Sequence, residues 1–381
     1  MREYLLVFVV AAAVTFLATP VARAVALRIG AVAGVRARDV HAKPTARLGG
    51  LAMLAGLYAG LAVAARLPFL SQVSRDWSEP RAVLVAATLI CLLGVADDKW
   101  ELDSLTKLAG QMVAAAVMVQ MGVQFSFAIN WNSETTLSLG PETAVPISIL
   151  AVVVLINAIN FIDGLDGLAA GVTAIAALAT FYFAYRLAVV DGFYRASPAA
   201  LLAAVTAGVC VGFLPHNFNP ARLFMGDSGS MLIGLLSASS MISVTGQVAY
   251  GGYAGPSRSL PSLIPLAIPV AVLMVPFLDL GLAVVRRTRV GRSPFSSDKM
   301  HLHHRMLEIG KSQIRAMLFM YFWAALVGFG GVAASFSSAP LPILLATLGF
   351  GLLGLVVLLL LGQRTARQAA AAAGAGPSAS P

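Results

Sequence analysis

The sequence predicts an all-α, polytopic integral membrane protein with about eleven transmembrane helices, its N-terminus outside the cell and its C-terminus in the cytoplasm. Three observations support this fold class: the composition, the length of the apolar segments and the distribution of Lys and Arg. Of the 381 residues, 59% are hydrophobic and only 11% are charged, whereas an ordinary soluble domain carries about 25% charged residues. Because no single soluble core buries so much apolar side chain, a soluble enzyme, a disordered protein and a disulfide-stapled secreted domain are all excluded.

The predicted helices correspond to eleven apolar segments of the chain. A helix needs about 20 apolar residues to cross roughly 30 Å of hydrocarbon, and a lone strand would leave its backbone groups unpaired in lipid. The segments are 4–23, 48–66, 82–96, 105–128, 145–162, 168–190, 198–214, 229–249, 261–285, 314–336 and 340–362. The first imitates a secretory signal peptide, but the basic residues between Arg23 and Arg47 are expected to hold the following segment in the cytoplasm. We therefore interpret it as a true span.

The orientation follows from the basic residues, because cytoplasmic loops carry an excess of Lys and Arg. With the N-terminus outside, 19 of the 26 Lys and Arg residues fall in cytoplasmic segments and seven fall outside. The net charge of +9 is attributed to these loops, and binding of nucleic acid is not expected. We predict one transmembrane domain over residues 1–365, a disordered cytoplasmic tail over 366–381, and insertion into the plasma (inner) membrane.

Acidic residues stand at the ends of three predicted spans. Asp97 and Asp98 end the third segment, Asp163 and Asp166 follow the fifth, and Asp227 precedes the eighth. Under the predicted topology all five lie on the cytoplasmic face. A single charge at a helix end commonly marks only where the membrane stops. Three loops that each combine a carboxylate with glycine or a second carboxylate indicate a functional site instead.

The first two clusters differ in chemistry. Adjacent carboxylates at Asp97 and Asp98 repel each other, so one of them is expected either to have a raised pKa or to recruit a cation. Lys107, about ten residues later, can bind phosphate as a point charge. In the second cluster, polar side chains recur every third residue and would share one face if the helix continued. These residues are Asn157, Asn160, Asp163 and Asp166. Gly164 favours a bend there and lets a ligand approach the backbone.

The third cluster surrounds Asp227 in the sequence Phe-Met-Gly-Asp-Ser-Gly-Ser, which starts at Phe224 and follows Asn217. Free backbone N–H groups, hydroxyls and a carboxylate before a helix suit a phosphate and its metal. The same residues also fit an ordinary helix N-cap, so both interpretations stay open from this segment alone.

The fourth cluster is basic and contains His-Leu-His-His-Arg, which supplies His301, His303, His304 and Arg305. Because no cysteine accompanies the histidines, contacts to phosphate or sugar are favoured over zinc. A further carboxylate, Asp279, lies inside the ninth apolar segment. A carboxylate within a membrane span is a functional candidate by default, and we expect Asp279 to orient a basic partner rather than to react.

The four motifs occur in an order that resembles the polyprenyl-phosphate N-acetylhexosamine-1-phosphate transferases, over about residues 20–325. Within that family the chain is most similar to the bacterial UDP-GlcNAc enzymes of the actinobacterial type. Members that use the muramyl-pentapeptide nucleotide usually carry three consecutive histidines followed by glutamate, a pattern that His-Leu-His-His-Arg does not follow. The loop from Val40 to Gly50 also fits the GlcNAc branch, although Ala46 stands where a second proline is common.

The resemblance implies that polyprenyl phosphate (undecaprenyl or decaprenyl) attacks the β-phosphate of UDP-GlcNAc, releasing UMP. Asp227 would bind Mg²⁺, or alternatively Mn²⁺, and Asp97, with Asp98 beside it, would act on the lipid phosphate. The nucleotide would contact Asn160, Asp163, Gly164, Asp166, Asn217 and Phe224. The sugar and diphosphate would contact His301, His303, His304 and Arg305, with Lys43, Arg47 and Lys107 as weaker phosphate candidates. Direct displacement and a covalent aspartyl intermediate both remain open, and a homodimer is an expectation by analogy.

Two other functions compete with this interpretation. A phospho-MurNAc-pentapeptide transferase would share the fold and differ in its sugar nucleotide. A secondary transporter would use the carboxylates to relay ions, but transport sites usually lie near the membrane midplane between repeats. Here the carboxylates lie at one face and no repeat is visible, which disfavours the transporter.

Overall fold

The structure is a computed structural model that describes residues 1–33, 45–73, 77–125, 127–130, 135–250, 313–337 and 339–354. Helices dominate these ranges. They are α1 (Arg2–Ile29), α2 (Gly49–Ala64), α3 (Pro68–Val73), α4 (Ser78–Trp100), α5 (Ser104–Gln120), α6 (Pro141–Ile162), α7 (Leu168–Tyr185), α8 (Ser197–Asn217), α9 (Gly226–Tyr250), α10 (Gln313–Ser335) and α11 (Pro340–Gly354). A π-helical turn, Arg186–Val190, continues α7, and a 3₁₀ turn, Tyr194–Ala196, precedes α8.

The strands among the described residues form two short antiparallel pairs. Val32–Ala33 (β1) pairs with Thr45–Ala46 (β2), and Phe127–Asn130 (β3) pairs with Thr135–Ser138 (β4). Neither pair was predicted. Both lie between helices and leave the all-α character of the described part of the chain unchanged.

Ten of the eleven predicted apolar segments each overlap a described helix. The eleventh, 261–285, lies outside the described residues. Seven helices in the described ranges are long and apolar enough to cross a membrane. The prediction overshot at the fourth segment, 105–128, because α5 ends at Gln120. There Gly122 adopts a φ of 109°, and the N–H of Phe125 donates to the Ser148 hydroxyl, so the chain leaves the helix before β3.

Helices α8 and α9 form the centre of the bundle. In the apolar stretches of α8 and α9, 83% and 89% of the residues are buried, compared with 28% in the apolar stretch of α1 at the periphery. Helix α1 packs on α2 and α8, α7 packs on α8 and α10, and α9 packs on α4 and α6. Small residues allow this closeness, since a Cβ at Gly212 would overlap the backbone of Ala12. Such contacts between small residues are how helices associate when both are surrounded by lipid.

The first turn of α9 is clamped between two other helices. A Cβ at Gly50 of α2 would overlap the Ser228 carbonyl group, and a Cβ at Gly94 of α4 would overlap the Ser228 backbone from another side. Glycine at both positions therefore lets three backbones meet. Long-range contacts place the last turns of α4, α6 and α8 and the first turns of α2, α5, α7 and α9 at this same end of the bundle.

Candidate active site

The N-terminus of α9 is capped by a carboxylate from another helix. Asp98, on α4 and only 6% exposed, accepts hydrogen bonds from the backbone N–H groups of Asp227 at 2.9 Å and Ser228 at 3.1 Å. An anion at a helix N-terminus satisfies unpaired donors and interacts favourably with the helix dipole. Gly226 has a φ of 69° and no room for a Cβ beside Asp98. Asp98 therefore uses both carboxylate oxygens to fix the position of Asp227.

Lys107 joins the carboxylates of Asp97 and Asp227. Its ammonium nitrogen lies 2.8 Å from Asp97 Oδ2 and also pairs with Asp227 Oδ2. A short turn between α4 and α5 brings Lys107 there. Glu101, directly after α4, has a left-handed conformation, and Asp103 caps the start of α5. The other Asp97 oxygen accepts from the N–H of Leu102 at 2.9 Å. The side chains of Asp97, Lys107 and Asp227 are 11%, 22% and 26% exposed, so a ligand has access to this ion-pair network.

Asn160 holds the remaining oxygen of Asp227. Its amide nitrogen donates to Asp227 Oδ1 at 3.0 Å and to the Ser230 hydroxyl at 2.8 Å. The resemblance implied a nucleotide contact for Asn160, and the structure places it directly beside the carboxylate implied to bind the metal. One turn earlier on α6, Asn157 donates to Gln111 Oε1 at 2.6 Å.

Gln111 is a residue that the sequence analysis missed. It is 1% exposed, and its amide nitrogen lies 3.3 Å from Met231 Sδ. Gln111 therefore connects α5 and α9 behind the carboxylates, with Asn157 of α6 as its partner. The signal that could have found it is an uncharged polar side chain within the apolar segment 105–128.

The residues present fit a Mg²⁺ ion better than zinc. Among the residues that the structure describes, no three His, Cys, Asp or Glu side chains form a metal cluster. Mg²⁺ is usually held by one or two carboxylates together with substrate phosphates and water, and such a set requires no full protein cage. Asp227, Asp97 and Asn160 supply hard oxygen donors, and the Lys107 ammonium between the two carboxylates shows that this position favours positive charge.

Asp163 and Asp166 follow α6 in a turn and have different surroundings. Helix α6 ends at Ile162, so the predicted polar face does not continue through Asp163. Burial raises the pKa of Asp163 well above its usual range, and the charges of Asp98 and Asp166 add to this effect, while Arg47 opposes it. Asp166 is buried and accepts from Asn219 Nδ2 and the N–H of Ala221, each at 3.0 Å. Asp166 thus holds the loop between α8 and α9.

Asn217 and Phe224 organise the same loop through the backbone. The buried Asn217 amide accepts from the N–H of Gly167 at 3.0 Å and donates to the Leu223 carbonyl at 3.1 Å. The N–H of Phe224 donates to the Ala46 carbonyl at 2.9 Å, which ties this loop to β2. Gly164 is exposed and a Cβ there would meet open space, so its backbone faces the accessible side of the turn.

The structure thus joins Asp97, Asp98, Lys107, Asn160 and Asp227 in one network. A second group, Asp163, Asp166, Asn217 and Phe224 with Arg47, surrounds the adjoining turn. The remaining predicted site residues, Lys43, Asp279, His301, His303, His304 and Arg305, lie outside the described residues.

Comparison with known proteins defines the class of this bundle. Residues 81–245 match the family described as glycosyl transferase family 4. This range runs from α4 to α9 and includes every described residue of the network around Asp227. The chain belongs to the polyprenyl-phosphate N-acetylhexosamine-1-phosphate transferases of this family.

Named relatives share most of the chain. The decaprenyl-phosphate N-acetylglucosaminephosphotransferase of Mycolicibacterium smegmatis is 46% identical over 341 residues, which cover 88% of this chain and 83% of the relative. The protein of the same name from Mycobacterium leprae is 46% identical over 338 residues, covering 88% and 85%. The probable undecaprenyl-phosphate N-acetylglucosaminyl 1-phosphate transferase of Bacillus subtilis is 32% identical over 336 residues, covering 86% and 83%.

Proposed function

We propose that this protein transfers GlcNAc-1-phosphate from UDP-GlcNAc to polyprenyl phosphate, releasing UMP and forming GlcNAc-pyrophosphoryl-polyprenol, with Mg²⁺ as its cofactor. The observation that carries the proposal is the network in which Asp97, Lys107 and Asn160 converge on Asp227 at the N-terminus of α9. The names of the relatives, which specify a polyprenyl-phosphate acceptor and transfer of an N-acetylglucosamine phosphate, support the same reaction.

In the donor part of the site, Asp227 and Asn160 would hold the metal that accompanies the donor diphosphate. Bound Mg²⁺ would offset the negative charge that develops on the diphosphate during transfer. Asp98 keeps the Asp227 carboxylate in place by fixing its backbone, while Asn160 sets the carboxylate orientation. Lys107 has a flexible stem, so its ammonium turns from the carboxylates toward a phosphate oxygen when the donor binds.

In the acceptor part of the site, Asp97 orients the lipid phosphate and takes up its proton when one is present. The phosphate oxygen of the lipid forms a bond to the β-phosphorus of UDP-GlcNAc. The bond from this phosphorus to the bridging oxygen breaks, and UMP leaves with the electron pair. The hydrogen bond from Leu102 and the ion pair with Lys107 hold Asp97 in position for this role.

The nucleoside occupies the turn after α6. Asp163 and the exposed backbone of Gly164 offer hydrogen-bonding groups there, and Asp166 and Asn217 hold the surrounding loops through their own bonds. Arg47, close enough to act on the charge of Asp163, supplies positive charge on the same side. We place this end of the bundle at the cytoplasmic face of the plasma membrane, with the N-terminus outside, because 19 of the 26 basic residues then lie inside.

Mass spectrometry of the lipid product tests the proposal. Purified protein receives UDP-GlcNAc, Mg²⁺ and decaprenyl phosphate, and the expected product carries GlcNAc and one additional phosphate, with UMP in equal amount. Parallel reactions omit the lipid or replace the nucleotide with UDP-MurNAc-pentapeptide. Product from the pentapeptide nucleotide alone would assign the chain to the rival sugar specificity. Counterflow of UDP-GlcNAc in proteoliposomes without an acceptor lipid and without product would instead identify a transporter.

A further inference from the structure

A cavity lies at the opposite end of the bundle from the carboxylates. It has a volume of about 330 Å³ and is lined by side chains of α7, its π-helical turn and the end of α10, including Tyr182, Arg186, Phe329, Phe336 and Ser337. Arg186 follows the first residue of α7 by 18 positions, which corresponds to about 27 Å along a helix. That distance is close to the thickness of the bilayer core. The cavity therefore lies near the membrane boundary opposite the candidate active site.

Arg186 supplies a charge that no described residue neutralises. Its guanidinium carbon lies 4.4 Å from the centroid of the Phe336 ring, and its buried Nε has no hydrogen-bond partner among the described residues. The nearest acidic residue along the chain, Asp191, forms no ion pair with it, and Asp191 Oδ2 is likewise unpartnered. Arg186 also lines the cavity, so it places an uncompensated positive charge there, and its buried N–H lacks the partner that such groups ordinarily have.

The remaining walls combine apolar surface with one hydroxyl donor. Tyr182 and Phe329 are 46% and 42% exposed on the outer surface of the bundle, where an acyl chain would lie. Ser337 accepts a hydrogen bond from the N–H of Ala339, and its hydroxyl can donate as well. The cavity therefore offers a cation and a hydroxyl at one end and aromatic rings along the lipid-facing side.

We propose that this cavity binds an anionic phospholipid from the leaflet opposite the active site. The phosphate pairs with the Arg186 guanidinium, a group that suits phosphate, and the Ser337 hydroxyl donates a further bond. The acyl chain covers Tyr182 and Phe329. Charge complementarity and the position at the membrane boundary select this occupant. A π-helical turn at Arg186 fits the assignment, since such turns occur frequently at functional sites.

Native mass spectrometry of the protein released from nanodiscs tests this proposal. The wild-type protein is expected to retain one phosphatidylglycerol in discs that contain equal amounts of phosphatidylglycerol and phosphatidylcholine. Arg186→Gln should lower that retention about tenfold, and Arg186→Lys should lose less because it keeps the charge. Arg81→Gln is the matched control, because Arg81 is exposed at the same end of the bundle and does not line the cavity.

Four results would overturn the proposal. Equal retention of the two lipids by the wild-type protein would remove the need for an anionic headgroup. Retention unchanged in Arg186→Gln would place the lipid elsewhere. Thermal stabilisation of the detergent-solubilised protein by inorganic phosphate, equal to that given by phosphatidylglycerol, would identify a soluble anion as the ligand. A lipid-free dimer in the same spectra would assign the cavity to a second copy of the chain. The wild-type comparison stays decisive even if Arg186→Gln fails to fold.

Discussion

The carboxylate of Asp98 lies 2.9 Å from the backbone nitrogen of Asp227, and this hydrogen bond links two residues that are 129 positions apart. It connects the end of α4 to the start of α9 through a carboxylate that is itself buried. Asp98 is therefore a positioning residue, and its neighbour Asp97 is the accessible carboxylate of the pair.

Replacement of Asp98 tests this positioning role. Asp98→Asn turns one carboxylate oxygen into an N–H donor that faces the N–H of Asp227 or Ser228, so one donor at the helix start loses its acceptor. We expect a loss of about 1–3 kcal/mol in the free energy of unfolding, together with weaker binding of UDP-GlcNAc and Mg²⁺. Thermal unfolding and calorimetry measure the two effects.

Asp103→Asn provides the matched control for Asp98→Asn. Asp103 caps α5 by accepting from Leu105 and Thr106, and asparagine is an equally good N-cap. Unfolding and nucleotide binding should both stay near wild type in this control. If Asp98→Asn behaves in the same way, the cap on α9 does not position Asp227.

Asp97→Asn and Asp227→Asn should affect nucleotide binding and turnover differently. Asp227→Asn removes an anionic oxygen from a cation that prefers carboxylate, so calorimetry should show weaker Mg²⁺-dependent binding of UDP-GlcNAc as well as slower turnover. Asp97→Asn should keep nucleotide affinity near wild type and slow turnover about 100-fold or more, the usual scale for a positioned acid–base group. The opposite pattern would exchange the two roles.

The pH dependence of Asp97→Asn distinguishes how Asp97 acts. The second pKa of a phosphomonoester is about 6, so the acceptor lipid is increasingly ionised as the pH rises. If Asp97 takes up a proton, the defect should diminish between pH 6 and 9. A constant defect over that range would favour electrostatic orientation or a covalent aspartyl intermediate.

Lys107 should compete with the metal. Lys107→Met removes the ammonium between Asp97 and Asp227 and leaves two carboxylates without a counter-ion. We expect Mg²⁺ alone to stabilise this variant at about tenfold lower concentration than wild type, since attraction of a cation grows with uncompensated negative charge. Turnover should fall because a phosphate contact is lost. Mg²⁺ titrations followed by thermal shift give the readout.

Lys99→Met is the control for the Lys107 experiment. Lys99 lies 4.8 Å from the centroid of the Trp100 ring and forms no ion pair with Asp97 or Asp227 in the structure. Its removal should leave the Mg²⁺ titration unchanged. A titration of Lys107→Met that coincides with both wild type and Lys99→Met would show that the ammonium does not occupy a cation position.

Asp163 gives the protein a component of stability that falls as the pH rises. The pKa of Asp163 is raised in the folded state. At pH values above the ordinary pKa of about 3.9, the folded protein therefore holds a proton that the unfolded chain has lost. The free energy of unfolding then decreases as the pH rises, until the pH passes the folded-state pKa. Asp163→Asn should remove this decrease and be the more stable protein at neutral pH. Between pH 4.5 and 8, the melting temperature of the variant should therefore rise increasingly above that of the wild type. A constant difference between the two melting temperatures would contradict the raised pKa.

The orientation can be tested with cysteines at described, exposed positions. Tyr194 lies at the end of the bundle opposite the carboxylates and Ser104 lies at the carboxylate end, while the native cysteines Cys91 and Cys210 are buried. In intact cells an impermeant thiol reagent should label Tyr194→Cys and not Ser104→Cys. Labelling of Ser104→Cys alone would reverse the proposed orientation.

Much of the helix arrangement could be predicted because lipid imposes a simple rule on the sequence. A backbone in hydrocarbon must pair within its own segment, so apolar length alone located ten helices that the structure describes. The rule does not apply where the chain returns to water. Helix α5 ends at Gln120, and shortly after it the N–H of Phe125 donates to the Ser148 hydroxyl of α6 instead of to a helical carbonyl. Hydrophobicity carries no information on this competition.

The candidate site shows a similar division. Residue types and spacing identified Asp97, Asp98, Lys107 and Asp227, because carboxylates and lysine at the ends of membrane spans have few packing explanations. Their division of labour depends on contacts between distant helices, which spacing does not contain. Asp97 and Asp98 are adjacent in sequence, yet a rotation of about 100° between successive helical residues directs one toward Lys107 and the other toward the start of α9.

The glycines at positions 50 and 94 make α2, α4 and α9 a single mechanical unit around Ser228. A displacement of Asp227 along its helix axis would have to carry two neighbouring backbones, each of which is packed against further helices. The backbone positions of Asp97 and Asp227 are therefore set by the same packing that forms the bundle. In the proposed mechanism, adjustment to donor, acceptor and product would then fall to the long side chain of Lys107, whose several rotatable bonds let its ammonium change position while the helices stay in place.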